Sequence, residues 1–287
     1  MSAAAKGIRN AVLLTASSGA QTAAGVAAAC RAAEAVGCEL VVTGEERERH
    51  GPAGEGLTEV QSLPRSPDLC LVLGGDGTIL RGLREYAHTE VPVFGINYGT
   101  IGFLAAAEQS ELDHGLARAF GGEFELVELP GLEVGPSGST VPALNDVTFT
   151  RTPHHRVAQL SYRLGGREVG HVRCDGLVAA TPVGSTGYNL ANGGPILAWG
   201  VAGYVVSFIA PHTLTSRPLV VAPDDVLHVH NLGERDSVDI AVDGTPQGVL
   251  EPTSEIEVRF SHGVSRLAQP QGETFYGRIR EKFGRLA

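Results

Sequence analysis

The stretch Leu69-Cys70-Leu71-Val72-Leu73-Gly74-Gly75-Asp76-Gly77-Thr78 decides the fold of this chain. Its apolar half is typical of a buried strand, so we predict a strand over 68–73 and a helix over 78–87. The glycines and Asp76 lie between the two, where ligands of doubly wound sheets bind and backbone N–H groups can approach a phosphate. A plain tight turn with Asp76 or Thr78 as the helix cap explains the same residues, because Asp and Gly dominate turns.

The segments around this stretch alternate between strands and helices. We predict strands over 11–15, 39–43 and 91–96, a helix over 20–36, and a polar loop over 44–56. Such alternation is typical of a parallel, doubly wound sheet. We therefore expect an α/β N-terminal domain with a Rossmann-like sheet over residues 1–122.

The pattern changes beyond residue 122 to alternating apolar and polar residues with many β-branched side chains. Gly165-Gly166 follows one such run and predicts a hairpin turn. We expect a mainly antiparallel β domain over 123–267. A helical pattern over 273–283 indicates that the last segment, 268–287, packs back on the first domain.

The basic residues exclude several kinds of phosphate site. The chain has 287 residues, a net charge of −10 and 22 basic residues, of which only Lys6 and Lys282 are lysines. A chain with no internal lysine cannot carry a lysine-containing phosphate loop, a pyridoxal Schiff base or a kinase strand lysine. Phosphates must then be bound by backbone N–H groups, arginine or a metal ion. The acidic balance also argues against nucleic acid as a partner, so we expect small-molecule substrates.

The cysteines and the N-terminus predict a cytoplasmic protein. Cys30, Cys38, Cys70 and Cys174 show no Cys-x-x-Cys spacing, so we expect reduced thiols. The first apolar run, 11–14, is too short for the core of a signal peptide, and we expect no membrane segment.

A second polar stretch has the composition of a nucleotide site. Thr181-Pro182-Val183-Gly184-Ser185-Thr186-Gly187-Tyr188-Asn189 follows Asp175-Gly176. Hydroxyl and amide groups can bind a base and a sugar, and Tyr188 can offer a stacking surface. An ordinary loop of the β domain is the alternative.

Three further features have two interpretations each. Asn145-Asp146 can bind a base edge and a ribose diol, or can cap a turn. Asp243-Gly244 repeats the acidic-glycine pattern, but Asp-Gly is also the commonest hairpin turn. Residues 151–173 hold five arginines and one glutamate, which can bind phosphates or form a solvated hairpin face.

Taken together, these motifs resemble those of the NAD kinase family. The agreement includes Gly74-Gly75-Asp76-Gly77-Thr78, Gly95 through Leu104, Asn145-Asp146, Asp175-Gly176 through Gly193-Gly194-Pro195, Pro211-His212-Thr213-Leu214, Ser216-Arg217-Pro218-Leu219 and Asp243-Gly244. Lipid kinases and phosphofructokinases share Gly-Gly-Asp-Gly alone. The combination with Thr-Pro-x-Gly-Ser-Thr-Gly-Tyr is far more specific.

The resemblance implies transfer of a phosphoryl group from ATP or polyphosphate, with Mg²⁺, to the 2′-hydroxyl of the adenosine ribose of NAD, which lies between two domains. It implies Asp76 as the base and homodimers or homotetramers in which a neighbouring subunit supplies Asp175. The other expected cofactor-binding residues are Gly74, Gly75, Gly77, Thr78, Arg81, Asn97, Phe103, Asn145, Asp146, Arg156, Arg173, Thr181, Ser185, Thr186, Gly187, Tyr188 and Asn189.

The chain departs from the family pattern at a few positions. Asp146 stands where the family usually has Glu, and Val183 stands where Thr is common. Glu128 through Leu132 replaces a stretch that often carries Arg. A lipid or small-alcohol kinase and a non-catalytic dinucleotide sensor are the alternative functions; the first leaves 181–189 unexplained, and the second does not need Asp76.

Overall fold

The computed structural model of the chain describes residues 7–16, 19–135 and 139–284. The chain divides into two compact units. Unit 1 contains Met1–Glu128 and Ser265–Ala287, and unit 2 contains Leu129–Val264. The sequence predicts that 1–122 and 123–267 are separate domains, and their independent folding stays a prediction.

Unit 1 is an α/β unit, as predicted. Its first elements are β1 (Asn10–Thr15), α1 (Gly19–Ala35), β2 (Glu39–Thr43), α2 (Gly44–His50), β3 (Thr58–Val60), β4 (Leu69–Gly74), α3 (Asp76–Glu85), β5 (Pro92–Asn97), β6 (Ala107–Glu108) and α4 (Leu112–Gly121). The strands pair in parallel in the order β5-β4-β1-β2-β3, and β6 pairs with β5. Every residue of β4 is buried, because helices of a doubly wound sheet cover both faces. The core of unit 1 is formed by side chains of these strands together with those of α1 and α4.

Unit 2 is built from antiparallel strands. The strands are β7 (Glu125–Val134, whose first residues belong to unit 1), β8 (Val141–Ala143), β9 (Asp146–Arg151), β10 (Ala158–Leu164), β11 (Arg167–Cys174), β12 (Gly176–Ala180), β13 (Tyr204–Ile209), β14 (Leu219–Val221), β15 (Leu227–Asn231), β16 (Val238–Val242), β17 (Thr245–Leu250) and β18 (Glu255–Gln269). A short helix, α5 (Tyr188–Ala191), lies between β12 and β13. One sheet has the order β14-β13-β12-β9-β16-β17, and β11-β10-β15-β18 form another ladder. A second hydrophobic core fills this unit. The predicted α/β and antiparallel β architecture is therefore confirmed.

The last part of β18 and α6 (Phe275–Phe283) belong to unit 1. Arg266 and Leu267 pair in parallel with the start of β5. The Thr274 side chain accepts the N–H of Gly277 at 3.1 Å and caps α6. Residues 285–287 of the predicted C-terminal segment lie outside the described residues.

The polar loop predicted over 44–56 is wrong, because residues 44–50 form α2. Glu46 and His50 of this helix are buried against the end of β1. Glu46 Oε1 accepts the N–H of Thr15 at 2.7 Å, and the Thr15 hydroxyl lies 2.8 Å from His50 Nε2. Burial lowers the pKa of His50 and keeps its ring neutral at pH 7. These distant contacts stabilise a segment whose own sequence is almost entirely polar.

No helix in residues 7–16, 19–135 and 139–284 is long and apolar enough to cross a membrane. Cys38, Cys70 and Cys174 are buried, and Cys30 is half-buried. All four carry free thiols.

Candidate active site

Asp76 is the first residue of α3 and follows the buried strand β4. Gly75 is the N-cap of this helix, and no side chain caps it, so a capping role for Asp76 or Thr78 is wrong. The Asp76 carboxylate instead accepts the N–H of Phe103 at 2.9 Å and that of Leu104 at 2.8 Å. Each oxygen accepts one N–H, and an ionised carboxylate can accept about four hydrogen bonds. Asp76 is therefore oriented by backbone groups and keeps acceptor capacity for a ligand.

The glycines around Asp76 meet different needs. Gly75 lies so close to Gly99 that a Cβ on Gly99 would stand 2.9 Å from the Gly75 Cα. Gly102 has φ +66°, and a Cβ there would overlap the Asn97 amide. A Cβ on Gly77, in contrast, would meet nothing within 4 Å. The fold requires Gly75 and Gly99 to approach closely, whereas the open space at Gly77 is available to a ligand.

Asn97 is buried at the end of β5 and organises the loop that follows it. Its Oδ1 accepts the N–H of Gly99 at 2.9 Å, and its Nδ2 donates to Glu108 Oε2 at 2.8 Å. Both ends of the amide are thus bonded within the protein. A direct contact between Asn97 and a cofactor stays a prediction.

Other predicted residues of unit 1 lie around the same strand ends. Gly74 ends β4, and a Cβ on it would overlap the Thr78 side chain. Arg81 donates from Nη2 to the Thr15 carbonyl at 3.0 Å, at the end of β1, and its side chain is 43% exposed. The Phe103 ring is buried and packs on Phe275 of α6. The Arg81 guanidinium is thus partly exposed and also lies 3.6 Å from the Glu46 carboxylate, whereas Phe103 contributes its backbone N–H to the Asp76 carboxylate.

In unit 2, the Asp243-Gly244 turn holds the backbone of Asn145 and Asp146, the pair that the sequence predicts to bind a base and a ribose. The carboxylate of Asp243 accepts the N–H groups of Leu144 at 3.0 Å, Asn145 at 2.7 Å and Asp146 at 3.0 Å. Asp243 and Gly244 have φ +46° and +74° and join β16 to β17 as the predicted hairpin turn. The turn thus serves a second purpose, because its carboxylate fixes the backbone at the start of β9.

Asp146 is 7% exposed at the start of β9. Burial raises the pKa of its carboxyl to about 7, and the nearby Asp243 carboxylate contributes to the increase. A carboxyl with this pKa can take up or release its proton near neutral pH. Such a carboxyl can donate or accept a hydrogen bond.

The stretch 181–189 forms a tight polar turn after β12. Three of its side chains are fully buried and bond to backbone. The Thr181 hydroxyl donates to the Leu144 carbonyl at 2.6 Å, that of Ser185 donates to Pro182 at 2.6 Å, and Asn189 Nδ2 donates to Ser185 at 3.0 Å. These three residues build the turn, and their direct contact with a nucleotide stays a prediction.

The other side of this turn faces solvent. Gly187 and Tyr188 are exposed, and Thr186 is half-buried with its hydroxyl donating to the Val183 carbonyl at 3.1 Å. The Tyr188 side chain is 42% exposed at the start of α5. Tyr188 is thus available as the stacking surface that the sequence predicts.

Asp175 and Thr181 lie at opposite ends of β12. Six residue steps at about 3.3 Å place them about 20 Å apart. Asp175 forms an ion pair with Arg151, whose Nε donates to Oδ1 at 2.7 Å. Asp175 therefore lies far from the 181–189 turn of its own chain.

The arginines of 151–173 lie in different surroundings. Arg163 pairs with Glu255 at 2.6 Å, which fits the solvated hairpin face, and Arg173 is exposed on β11. Arg156 lines a cavity of about 700 Å³ together with Arg151 and Arg235. This cavity lies at the end of β9 opposite Asp146. Arg151 and Arg156 thus lie around one cavity, whereas Arg163 and Arg173 do not line it.

The sequence motifs did not point to Arg278, a buried side chain that bonds to the segment 103–105. Arg278 is 5% exposed on α6, and its Nη1 donates to the carbonyls of Phe103 and Ala105. Phe275, Ile279 and Phe283 recur every four residues and mark the apolar face of α6. Arg278 stands beside Ile279 on this face. This position next to the apolar residues is the sequence feature that indicates a buried arginine.

Two family profiles and several known proteins are similar to this chain. The sequence profile of the ATP-NAD kinase N-terminal domain matches residues 32–124, and that of the ATP-NAD kinase C-terminal domain matches 144–269. The NAD kinase of Symbiobacterium thermophilum is 36% identical over 75% of this chain and 78% of its own length. The NAD kinase of Lachnoclostridium phytofermentans is 31% identical over 79% of this chain and 84% of its own.

Two solved structures have the same fold. A yeast NADH kinase complexed with NADH has a TM-score of 0.84 and 23% identity, covering 98% of this chain and 91% of the other. An NAD kinase from Archaeoglobus fulgidus in complex with ATP has a TM-score of 0.72 and 24% identity, covering 96% and 98%. Two domain profiles and relatives above 30% identity over most of their length lead to one conclusion: the chain belongs to the NAD kinase family.

Proposed function

We propose that this protein transfers a phosphoryl group from ATP to the 2′-hydroxyl of the adenosine ribose of NAD and so produces NADP. The supporting relatives are named NAD kinase, and both family domains match the chain. The observation that carries the proposal is the Asp76 carboxylate, oriented by two backbone N–H groups in a glycine-rich turn at the end of a parallel strand. Ligands of such sheets bind at this edge.

Asp76 is proposed to align the attacking hydroxyl and to accept its proton. In a loose phosphoryl-transfer transition state the hydroxyl keeps its proton until late, so a carboxylate can serve as the acceptor. The N–H groups of Phe103 and Leu104 keep the carboxylate in place. A carboxylate that is already oriented needs no rearrangement during the reaction.

The donor phosphates are proposed to lie along Gly74, Gly75, Gly77 and Thr78, where α3 begins. A helix N-terminus and the open space at Gly77 favour phosphate, and the partly exposed Arg81, which also lies 3.6 Å from Glu46, adds positive charge. Of the two lysines, Lys282 is paired with Glu108 at 2.6 Å, and Lys6 lies outside the described residues. Among the described residues, backbone N–H groups and arginine are therefore the groups that we propose bind the donor.

Mg²⁺ fits the donor set that Asp76 offers. This ion keeps phosphate and water ligands and takes one or two protein carboxylates, and Asp76 has oxygen lone pairs beyond those used by the two N–H groups. Bound with ATP, Mg²⁺ would offset negative charge on the transferring phosphoryl group.

The adenosine half of NAD is proposed to bind at the start of β9 and at the exposed side of the 181–189 turn. Tyr188 offers a ring for stacking, and Asn145 and Asp146 offer polar groups for the base and ribose. Asp146 is one methylene shorter than the family's usual Glu. The hydrogen bonds from Leu144, Asn145 and Asp146 to Asp243 support this placement, because they hold the backbone of 144–146 in one conformation.

The active form is proposed to be a homodimer or homotetramer in which Asp175 serves a neighbouring subunit. The separation of Asp175 from the 181–189 turn of its own chain by the length of β12 supports this. The free cysteines fit the predicted cytoplasmic location, where thiols stay reduced. Neither the sensor nor the lipid-kinase alternative gains support from the relatives.

The test is incubation of the purified protein with NAD, ATP and Mg²⁺, followed by an NADP-specific dehydrogenase readout. We expect NADP to form in proportion to enzyme concentration. A matched reaction that lacks ATP gives the background. Calorimetric binding of NAD without any NADP formed from ATP would overturn the kinase proposal and favour the sensor.

A further inference from the structure

The segment 103–105 connects Asp76 to the C-terminal helix α6. It has no regular secondary structure, so no strand ladder orders all of its peptide groups. Its N–H groups at Phe103 and Leu104 donate to the Asp76 carboxylate. The position of that carboxylate therefore depends on what holds this segment from behind.

The carbonyls of the same segment are held by two side chains of the C-terminal region. Arg278 Nη1 donates to the Phe103 carbonyl at 3.0 Å and to that of Ala105 at 2.6 Å. Gln269 Nε2 donates to the Leu104 carbonyl at 2.9 Å, and its Oε1 accepts from Arg278 Nη2. Three successive carbonyls are thus bonded to one guanidinium–amide pair.

The peptide unit between Phe103 and Leu104 lies between two opposite charges. Its carbonyl accepts from the Arg278 guanidinium, and its N–H donates to the Asp76 carboxylate. The peptide dipole is aligned with both charges, which stabilises this orientation. Burial lowers the pKa of Arg278, and the nearby carboxylates Glu273, Glu281, Asp76 and Glu108 oppose that effect. An arginine side chain stays charged at neutral pH.

From these contacts we infer that Arg278 is a positioning residue for phosphoryl transfer, acting on Asp76 through the peptide groups of 103–105. The inference rests on the proposed function. Arg278 lies beyond the residues 144–269 that the C-terminal profile covers. It acts at the carboxylate that meets the acceptor hydroxyl, so its loss should affect turnover more than substrate affinity.

The first test compares Arg278→Ala with Ile279→Ala. Ile279 is the buried neighbour on α6, and its truncation also leaves a cavity but keeps the bonds to the 103–105 carbonyls. We expect Arg278→Ala to lower kcat about 10-fold or more, with the KM values for NAD and ATP within about 3-fold. Ile279→Ala should keep kcat within 2-fold per folded molecule. Similar kcat losses in the two variants would overturn the inference.

Rescue by guanidinium separates positioning from general stability. Arg278 lines a cavity of about 160 Å³ with Glu273, Glu281 and Lys282, through which a small cation can enter. We expect guanidinium at a concentration well below that needed for unfolding to raise kcat of Arg278→Ala severalfold. Methylammonium has the same charge but lacks the planar set of donors and should fail. Equal recovery with both cations, or with neither, would contradict the inference.

The variant Gln269→Ala and hydrogen exchange, which does not depend on catalysis, test the same inference. Gln269→Ala should lower kcat in the same direction by a smaller factor, and it replaces Arg278→Ala if that variant does not fold. Hydrogen exchange at 97–106 should be faster in either variant than in Ile279→Ala. If wild-type protein makes no NADP, the proposed function fails, whereas unchanged exchange in both variants overturns the positioning of 103–105.

Discussion

Asp243, in the turn between β16 and β17, lies beside Asp146 at the start of β9, and Asp243 Oδ1 accepts the N–H of Asp146 at 3.0 Å. The N–H of Asp243 in turn donates to the Asp146 carbonyl at 2.9 Å. Two acidic residues are thereby fixed next to each other at the start of β9. Burial and the neighbouring charge raise the pKa of Asp146 from 3.8 to about 7.

This raised pKa predicts that unit 2 loses stability as the pH rises. Between about pH 4 and pH 7 the folded state keeps a proton on Asp146 that the unfolded state has released, so the free energy of unfolding falls through this window. The protonated Asp146 contributes up to about 4 kcal/mol to the free energy of unfolding, and this contribution is lost above pH 7. Asp146→Asn should remove most of this dependence and be more stable than wild type at pH 8.

The measurement is urea unfolding at pH 5 and pH 8, followed by the fluorescence of Trp199. Trp199 is the one tryptophan in the sequence, and it is buried in unit 2. Asp224→Asn is the control, because it removes an exposed carboxylate from the same unit. If Asp146→Asn has the same difference between the two pH values as wild type, the raised pKa is not the cause.

Local sequence patterns predicted the strand, the glycine turn and the helix around Asp76. The apolar run 69–73 and the Gly-Gly pair need no distant contact to be recognised. The helix α2 was not predictable in this way, because its stability comes from Glu46 and His50 packing against Thr15. These residues are more than 30 positions apart in the chain.

The site residues also divide into those that a short motif reveals and those whose contacts depend on distant parts of the chain. Asp76 and the Asp243 turn were found from short motifs, but their partners lie far along the chain. Asp243 bonds to residues 97 to 99 positions away, and Arg278 bonds to Phe103 and Ala105 at separations of 175 and 173. Pattern reasoning gives the chemistry of a side chain, whereas its orientation depends on tertiary contacts.

Gly77 gives a prediction that separates folding from catalysis. Its Cβ would meet no atom within 4 Å, and it is not among the residues with positive φ. Gly77→Ala should therefore leave stability unchanged or raise it by up to about 1 kcal/mol, since Ala favours a helix. A methyl group at a phosphate contact should lower kcat/KM for ATP about 10-fold.

Initial rates at varied ATP and a thermal unfolding curve check the Gly77 prediction. Gly200→Ala is the matched control, because a Cβ there also meets nothing within 4 Å. It should change neither quantity. Unaltered kcat/KM for ATP in Gly77→Ala would show that the donor phosphates do not approach this residue.

Asp76→Asn tests the role of the carboxylate in the proton transfer. Asn keeps the shape of the side chain but is a poor proton acceptor, and its Nδ2 cannot accept one of the two backbone N–H groups. We therefore expect kcat to fall by at least about 10² while the affinity for NAD changes only a few-fold. Calorimetry with NAD and single-turnover NADP formation measure the two quantities.

The control for Asp76→Asn is Asp68→Asn in the same unit. Asp68 Oδ2 accepts the N–H groups of Arg9 at 3.0 Å and Asn10 at 3.1 Å, so this exchange also disturbs a carboxylate bonded to two backbone N–H groups. Its kcat should stay within 2-fold of wild type. A comparable fall in both variants would assign the effect of Asp76 to folding and not to chemistry.

Asp175 provides the test of shared sites. If Asp175 serves a neighbouring subunit, mixing Asp76→Asn with Asp175→Asn subunits should restore activity, because some mixed sites contain both wild-type carboxylates. In a mixed homodimer with two shared sites, one site is intact and the other lacks both groups, so up to half of the wild-type activity per dimer is expected. Subunit exchange is verified with two affinity tags before the assay. Self-contained sites would give no recovery, since every site would then lack one carboxylate however the subunits are combined.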